Sequence, residues 1–291
     1  MPLMPPIDTL IDPRAVIDPG AVLGQGVRVG PGAYIGRGVE VGDGTEIGAG
    51  AQVQGPTRLG RGNRIFPLAA IGFEPQDLKF GGEEVRLEIG DRNQFREFST
   101  VHRGTAKGGG VTRIGSDNLF MAYSHIAHDC QVGSRTVFAN NATLAGHVEV
   151  HDDASISAFS SIHQFCRVGR HAYVGGYTVV VMDALPYAKT VGQKAACFGL
   201  NTIGLKRKGF DTAAVSRLDR AFRLLVRSKL NTAQALERIR AEVGAPGAWP
   251  EIDYLVEFVE SARRGVHKAP PGRGGGRAGR AGEGEAAEPA G

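Results

Sequence analysis

The 291-residue chain has only three cysteines, Cys130, Cys166 and Cys197, and no Cys-x-x-Cys pair. So few thiols argue against a disulfide scaffold and fit a reducing compartment. No run of eighteen apolar residues occurs, so no membrane span is expected. Residues 1–6 have neither a basic start nor an apolar stretch, which argues against a signal peptide. These absences predict a cytoplasmic protein.

A strong charge of one sign is also missing, because 34 Lys and Arg stand against 30 Asp and Glu, giving a net charge of +4. Much of the surplus lies in residues 206–208, in the Arg-rich segment after them, and in the C-terminal tail. A surplus this small is compatible with an acidic partner or a phosphorylated substrate. It does not predict a nucleic-acid partner.

Glycine is abundant, with 43 residues, and it often follows an aliphatic or aromatic residue that recurs at every sixth position within three runs. The recurring residues are Ile11, Ile17, Leu23, Val29, Ile35, Val41, Ile47, Val53, Leu59, Ile65 and Ile71, then Ile89, Phe95 and Val101, then Ile114, Phe120, Ile126, Val132, Phe138, Leu144, Val150, Ile156, Ile162, Val168, Val174 and Val180. Neither a helix nor a flat sheet has a period of six. The period is typical of a parallel β-helix, an all-β solenoid in which each hexad forms one strand and one corner.

Interruptions of this register divide the chain. We expect residues 1–190 to form the β-helix, with loops expelled from its flank near 74–86 and 103–110, where such loops often carry function. From Asp211 the apolar spacing becomes helical, and Asp211 and Asn231 are suitable N-caps. Residues 191–266 are therefore predicted to be an α-helical domain that covers the open end of the solenoid. Residues 267–291, rich in Gly, Ala and Arg, are predicted to be disordered.

Five of the eight histidines fall between positions 125 and 163. If three hexads make one coil, residues eighteen apart stack about 4.8 Å from each other, as neighbouring strands do. His128 then lies against Gly146. The same register brings His147 and His163 to this edge, with His125 one strand-turn away. A folding repeat does not require such a cluster, so the edge is a candidate functional site.

The chemistry available there favours acyl transfer. Imidazole titrates near neutral pH, so His128 is suited to act as a general base, and Asp129 could orient it. The N–H of Gly146 could donate to an oxyanion. No Ser or Cys is positioned as a nucleophile, which favours direct attack by a substrate hydroxyl. Zinc is the alternative use of three stacked histidines. His151 lies outside the stack and is expected to be an ordinary solvated residue.

Several segments resemble one enzyme family. They are Asn118–Cys130, Ala139–Val148 and His163–Cys166, with shorter matches at Gln76–Lys79, Ile89–Asn93, Val101–Gly104 and Gly204–Arg207. In these segments the chain is similar to the UDP-N-acetylglucosamine O-acyltransferases, which begin lipid A synthesis. The resemblance extends over residues 9–265 and is far more specific than the hexads alone.

The resemblance implies homotrimers of left-handed parallel β-helices with active sites between subunits. Such enzymes move an (R)-3-hydroxyacyl chain from the 4′-phosphopantetheine of acyl carrier protein to the 3-hydroxyl of UDP-N-acetylglucosamine. It implies no metal or other cofactor on the enzyme. By position, His128 would be the general base, Asp129 its orienting partner and Gly146 the oxyanion donor.

The resemblance also assigns substrate-binding positions. Asp77 and Lys79 would bind the sugar. The cleft would be lined by His125, His147, His163 and Gln164, and Gly176 would leave the acyl groove open. Asn201 and Arg207 would bind the nucleotide and its diphosphate. The basic residues Lys206, Lys208, Arg220 and Arg223 are candidates for docking acidic acyl carrier protein.

Three positions depart from the family pattern. Ile203 stands where an acidic residue is common, which weakens one expected nucleotide contact. Lys208 replaces a frequent Arg, and Lys194 replaces a His near the distal acyl end, so the acyl length is not predicted.

Three other functions compete with this interpretation. One is a zinc lyase like the β-helical carbonic anhydrases, which stoichiometric zinc would reveal. Another is the sister N-acyltransferase, which usually has an extra domain before its hexads, whereas the hexads here begin at Ile11. The last is a purely structural solenoid, which would leave the histidine cluster unexplained.

Overall fold

The structure is a computed structural model that describes residues 10–269, in which short strands wind into a parallel β-helix of three sheets. The first sheet consists of Leu10–Ile11, Arg28–Val29, Glu46–Ile47, Arg64–Ile65, Gln94–Phe95, Leu119–Phe120, Val137–Phe138, Ser155–Ile156, Tyr173–Val174, Ala188–Val191 and Ala196–Leu200. The second consists of Val16–Ile17, Tyr34–Ile35, Gln52–Val53, Ala70–Phe73, Thr100–His102, His125–Ile126, Thr143–Leu144, Ser161–Ile162 and Val179–Val180. The third consists of Val22–Leu23, Val39–Val41, Thr57–Leu59, Arg86–Ile89, Val111–Ile114, Gln131–Val132, Glu149–Val150 and Arg167–Val168.

The hexad residues form the core of the shaft. Strands pair with the strand one coil away, as in Ile126 with Leu144, and both side chains are at most 1% exposed. Phe120 stacks on Phe138 with ring centroids 4.9 Å apart. Because successive side chains of a strand point to opposite faces, one residue of each pair fills the shaft and its neighbour faces outward. Side chains at one outward position therefore line up in columns along the solenoid.

Three corners connect the sheets. The first corner joins the first sheet to the second, the second corner joins the second sheet to the third, and the third corner joins the third sheet to the first. From Gly26 onward, most corners contain one residue with a left-handed backbone, such as Gly44 with φ 66° or Asp129 with φ 61°. This conformation turns the chain sharply between two short strands.

Two loops are expelled from the coils. Ile71 pairs with Val101, thirty positions away rather than eighteen, so twelve extra residues leave the second corner as residues 74–85, the first loop. Val101 pairs with Ile126, twenty-five positions away, so this corner has seven extra residues, and it forms the second loop, residues 103–110. The ladder of hydrogen bonds is kept above and below both insertions, which lie on the same corner.

A helical cap follows the coils. It contains α1 Thr202–Arg207, α2 Thr212–Phe222, a π-helical turn Arg223–Arg227, α3 Thr232–Glu242 and α4 Pro250–Glu260. Asp211 caps α2 by accepting from the N–H of Ala214 at 2.6 Å, and Asn231 forms a capping box with Gln234 at the start of α3. The two N-caps predicted from the sequence are therefore confirmed.

The junction between solenoid and cap differs from the predicted division at residue 190. Ala188–Val191 pairs in antiparallel fashion with Ala196–Leu200, and this hairpin extends the first sheet. Leu185 and Tyr187 already belong to the core of the cap. The change to helix therefore comes after residue 200, because a reversed strand first closes the sheet.

The C-terminal boundary also differs. His267 is only 2% exposed, its N–H donates to the carbonyl of Asp183, and its Nε2 accepts from the N–H of Met182. The first residues of the predicted disordered tail, 267–269, thus belong to the cap, while residues 270–291 lie outside the described residues. No helix between residues 10 and 269 is long and apolar enough to cross a membrane.

Helix α4 fastens the cap to the third sheet. The Tyr254 hydroxyl and His151 Nδ1 form a hydrogen bond of 2.6 Å, and Arg167 donates to the carbonyl of Phe258 at 2.7 Å. His151 is therefore a structural residue rather than a member of the histidine cluster.

Candidate active site

His128 lies directly against the backbone of Gly146 on the second corner. Each of the two residues follows a strand of the second sheet, and the pairing of Ile126 with Leu144 places them one coil apart. A Cβ atom added to Gly146 would lie 2.5 Å from Cε1 of His128, closer than two such atoms can approach. Only glycine therefore fits beneath this imidazole. The stacking predicted from the eighteen-residue register is confirmed.

Asp129 holds the imidazole of His128. The Nδ1 of His128 lies 2.8 Å from Oδ2 of Asp129, whose side chain is fully buried. An ionised carboxylate can only accept, so Nδ1 carries the hydrogen and Nε2 keeps the lone pair. Asp129 has a left-handed backbone, which Asp tolerates better than most residues. The pair has the arrangement of a base and its orienting acid.

His147 and Phe165 continue the column of Asp129 along the second corner. Nε2 of His147 lies 3.6 Å from Oδ2 of Asp129, and its ring stacks on Phe165 at 4.5 Å. Its edge-to-face contact with His128 has centroids 5.2 Å apart. Burial lowers the pKa of His147, while the Asp129 carboxylate opposes this shift. The ring is therefore neutral at neutral pH and can donate or accept a hydrogen bond.

A metal ion would find three ligand groups here, because His128, Asp129 and His147 offer atoms that all lie within 4.8 Å of one another. Those atoms have other partners. Oδ2 of Asp129 accepts from His128 and from the hydroxyl of Thr105, and Oδ1 accepts from the N–H of Thr105. Binding an ion would disrupt this network, which fits an orienting carboxylate better than a ligand.

His125 and His102 form a second pair of histidines, more deeply buried, beside His128. Nδ1 of His125 lies 2.7 Å from the hydroxyl of Thr100, and its ring meets His102 edge to face at 5.0 Å. Burial lowers the pKa of His102 to about 4 and also lowers that of His125. Both rings are therefore uncharged at neutral pH.

His102 was missed in the sequence prediction. Its spacing from His125 is twenty-three residues, which is no multiple of six. The contact depends on the seven residues expelled between the two coils, and their number follows from the pairing of Val101 with Ile126. Aligning the hexads across the second loop would have found it.

The first loop reaches the histidine corner. The carboxylate of Asp77 is near enough to His147 to oppose, weakly, the lowering of its pKa that burial causes. Oδ1 of Asp77 accepts from the N–H of Lys79 at 3.0 Å, and the Lys79 side chain is exposed. The two residues predicted to bind a sugar thus lie on a loop that overhangs the second corner.

His163 and Gln164 lie one coil beyond Gly146 on the same corner. Both are exposed, and Nδ1 of His163 lies 3.0 Å from the carbonyl oxygen of Gln164. The second corner therefore gathers most of the predicted site residues within a few coils.

Three predicted residues lie elsewhere. Gly176 is exposed on the first corner, where an added Cβ would meet only the carbonyl oxygen of Ala158, at 3.4 Å. Asn201 caps α1, and its amide donates to the carbonyl of His171 on the third corner. Arg207 ends the same helix. One chain alone does not bring these residues to His128.

The positions that depart from the family pattern have clear environments. Ile203 is 69% exposed in the first turn of α1 and offers no polar group there. Lys208 pairs with Asp153 on the third corner, with Nζ 2.8 Å from Oδ1.

Comparison with known proteins agrees with the fold. The sequence profile "UDP N-acetylglucosamine O-acyltransferase, domain 2" matches residues 183–267, and the profile of bacterial transferase hexapeptides matches 112–146. The acyl-[acyl-carrier-protein]–UDP-N-acetylglucosamine O-acyltransferase of Myxococcus xanthus is 49% identical over 88% of this chain and 98% of its own length. That of Alkalilimnicola ehrlichii is 47% identical over 89% of this chain and 99% of its own.

Solved structures give the same answer. The UDP-N-acetylglucosamine acyltransferase of Bacteroides fragilis superimposes with a TM-score of 0.87 at 42% identity, over 89% of this chain and all of that one. That of Francisella novicida gives 0.85 at 34% identity, over 90% and 95%. The predicted fold class, a left-handed parallel β-helix with a C-terminal helical cap, is confirmed. With this identity over nearly its whole described length, the chain belongs to the acyl-[acyl-carrier-protein]–UDP-N-acetylglucosamine O-acyltransferase family of transferases.

Proposed function

We propose that this chain transfers an (R)-3-hydroxyacyl group from acyl carrier protein to the 3-hydroxyl of UDP-N-acetylglucosamine, with His128 as the general base. The observation that carries the proposal is the His128–Asp129 pair lying against the backbone of Gly146. The relatives at 47–49% identity are named for this transfer.

In the proposed reaction, Nε2 of His128 removes the proton of the sugar hydroxyl while its oxygen attacks the thioester carbon. The carbonyl π electrons move to oxygen, and this oxyanion accepts a hydrogen bond from the N–H of Gly146. Among residues 10–269, that N–H has no other acceptor. Collapse of the intermediate breaks the carbon–sulfur bond, and the leaving thiolate takes the proton from His128. Asp129 stays ionised and stabilises the imidazolium that forms in between.

Substrate binding is proposed from position and chemistry. Asp77 and Lys79 on the first loop would bind the sugar, and His125, His147, His163 and Gln164 would line its cleft. A neutral His147 beside Asp129 suits a hydrogen bond to a sugar hydroxyl, because it needs no counter-charge. A metal-free mechanism is proposed, since the oxygens of Asp129 already accept three hydrogen bonds.

A homotrimer is also proposed, and the distribution of the proposed site supports it. The base belongs to the second corner, the proposed nucleotide-binding residues Asn201 and Arg207 to a helix attached at the third, and the proposed acyl position Gly176 to the first. One substrate can meet all three sets only where corners of different chains face each other. A closed ring of three such chains would contain three equivalent clefts.

Acyl carrier protein is proposed to dock on the cap, and its phosphopantetheine would deliver the acyl group. Lys206 is exposed, but the other candidates have internal partners: Lys208 pairs with Asp153, Arg223 with Asp219, and Arg220 donates to the carbonyl of Glu242. An electrostatic dock weakens with salt. The three buried free thiols support a reducing, cytoplasmic location.

The test is a mass-spectrometric assay of acyl transfer to UDP-N-acetylglucosamine and to its 3-amino analogue, with a panel of hydroxyacyl carrier proteins. His128→Ala should lower turnover about 100- to 10,000-fold while the assembly state in solution is kept, because a lost general base has effects of this size. His151→Gln is the matched control, since its ring contacts Tyr254 of the cap. Near-normal turnover of His128→Ala would refute the proposal. Stoichiometric zinc in the purified protein would favour a metal mechanism instead.

A further inference from the structure

The second loop closes over the carboxylate that orients His128. The N–H of Thr105 donates to Oδ1 of Asp129 at 2.8 Å, and the hydroxyl of Thr105 donates to Oδ2 at 2.7 Å. Thr105 is itself only 6% exposed. One residue of the loop therefore holds both oxygens of a fully buried carboxylate.

The hydroxyl of Thr105 is itself fixed. Its oxygen accepts from the N–H of Gly108 at 3.2 Å, because Thr105 is the N-cap of the turn Ala106–Gly108. The single hydroxyl hydrogen is thus directed at Oδ2 of Asp129, the oxygen that also accepts from Nδ1 of His128. Thr105 and His128 share one acceptor atom.

Gly108 packs closely against the same carboxylate, that of Asp129. A Cβ added there would lie 2.0 Å from Cγ of Asp129. The backbone of Gly108 is not in the left-handed region, so contact with Asp129, and not backbone conformation, is what requires glycine. The loop therefore confines the carboxylate by hydrogen bonds on one side and by close packing on the other.

We propose that Thr105 is a positioning residue that acts through Asp129, and that the second loop serves to clamp this carboxylate. The inference rests on the proposed role of His128. Without the clamp, Asp129 can rotate away from His128. The imidazole of His128 is then free to carry its hydrogen on Nε2, and in this tautomer Nε2 cannot take the proton of the sugar hydroxyl. Thr105 has no direct contact with the reacting atoms in this scheme.

The experiment compares Thr105→Val with Thr105→Ser by steady-state kinetics over a range of pH. Thr105→Val should lower kcat about 10- to 100-fold, as expected for losing a hydrogen bond to a charged group. The KM for UDP-N-acetylglucosamine should change less than about twofold, because Thr105 contacts Asp129 and not the sugar. The acid limb of the pH profile should move to lower pH, because an Asp129 carboxylate that has rotated away stabilises the imidazolium less. Thr105→Ser, which keeps the hydroxyl, should restore kcat to within about threefold of the original.

Two further variants separate positioning from folding. Thr136→Val removes a buried hydroxyl that donates to Asn118 at 2.7 Å on the third corner, and it should lower stability without changing kcat. Gly108→Ala should lower kcat, because its Cβ displaces the carboxylate of Asp129 from the position in which it orients His128. The inference is overturned if Thr105→Val keeps its kcat and pH profile, or if Thr105→Ser is as slow as Thr105→Val. Either result would leave the proposed function standing as long as His128→Ala is inactive.

Discussion

The early coils, residues 10–71, and the later coils, residues 86–180, adopt the same corner conformation with different residues. In the early coils the left-handed position is almost always glycine: Gly26, Gly32, Gly38, Gly44, Gly50 and Gly62 have φ between 62° and 72°. In the later coils the equivalent corners contain Arg92, Phe98, Asp117, Tyr123, Asp129, Arg135, Asn141, His147, Asp153, Phe159, Phe165, His171 and Tyr177, with φ between 54° and 63°.

This difference in corner residues distinguishes corners that only turn the chain from corners that also present side chains. A left-handed backbone costs an L-residue about 1–2 kcal/mol, which glycine avoids. The early coils accept this cost only at Leu68, where φ is 63°, and elsewhere need only the turn. The later coils accept it at every corner except the one formed by the second loop, and they thereby gain a column of outward side chains, among them Asp129 and His147 of the proposed site. Strain at these corners is accepted where side chains are needed.

The largest effect on activity is expected at Gly146 of the later coils, where glycine is required by the contact with His128 and not by the backbone conformation of a turn. Gly146→Ala should lower kcat about 1000-fold, because the new Cβ displaces the imidazole of His128 and moves the oxyanion donor. Gly146 is outside the left-handed region, so little backbone strain is added and the thermal midpoint should hold. Steady-state kinetics and calorimetry on one preparation measure both. Full activity would mean that the contact with His128 has no catalytic role.

Acid should weaken the later coils before the early ones. The first histidine of the chain is His102, so the early coils contain none. Burial lowers the pKa of His102 to about 4. Between pH 6.5 and 4 the unfolded chain binds a proton there that the folded chain does not. Stability is therefore lost as the pH falls through this window, by about 3 kcal/mol in total for His102.

Hydrogen exchange at pH 7 and pH 5 would show where this loss occurs. Protection should fall in coils near Thr100–His102 and less in residues 10–71. His102→Gln should remove part of the difference, because glutamine does not titrate. Equal loss of protection in both regions would contradict the comparison.

The smallest effect is expected at an early corner. Gly44 has φ 66°, and an added Cβ would meet nothing within 4 Å. Gly44→Ala should therefore lower the free energy of unfolding by about 1 kcal/mol through backbone strain alone. Transfer activity should be unchanged, because Gly44 lies on the third corner of the early coils. Urea unfolding and the transfer assay test the two halves of this statement, and a loss of activity would show that the early corners do more than turn the chain.

Much of the solenoid could be predicted because its periodicity is linear. Ile126 sets the position of one coil, and Leu144, eighteen residues later, sets that of the next. The contact between His128 and Gly146 can therefore be predicted by counting residues. The N-caps Asp211 and Asn231 were predicted for the same reason, since capping is local.

What the sequence did not reveal depends on the insertions and on the junction. The hydrogen bonds of Thr105 to Asp129 and the contact of His102 with His125 need the path of the second loop, which has no repeat. The hairpin after Tyr187 was missed because its strands no longer follow the hexad period. The position of His267 was missed because a composition poor in apolar residues predicts disorder. The backbone N–H of His267 nevertheless donates to the carbonyl of Asp183, and its imidazole accepts from the N–H of Met182, and these two bonds order the segment.

The hairpin also gives the solenoid a definite end. A parallel coil presents a row of open backbone groups on which another chain could lay down a further coil in the same direction. In this molecule the last strand of the first sheet, Ala196–Leu200, runs the opposite way, and the helices of the cap pack behind it. Its reversed polarity offers no template for another parallel rung, so fibrous growth of chain upon chain is blocked at that terminus.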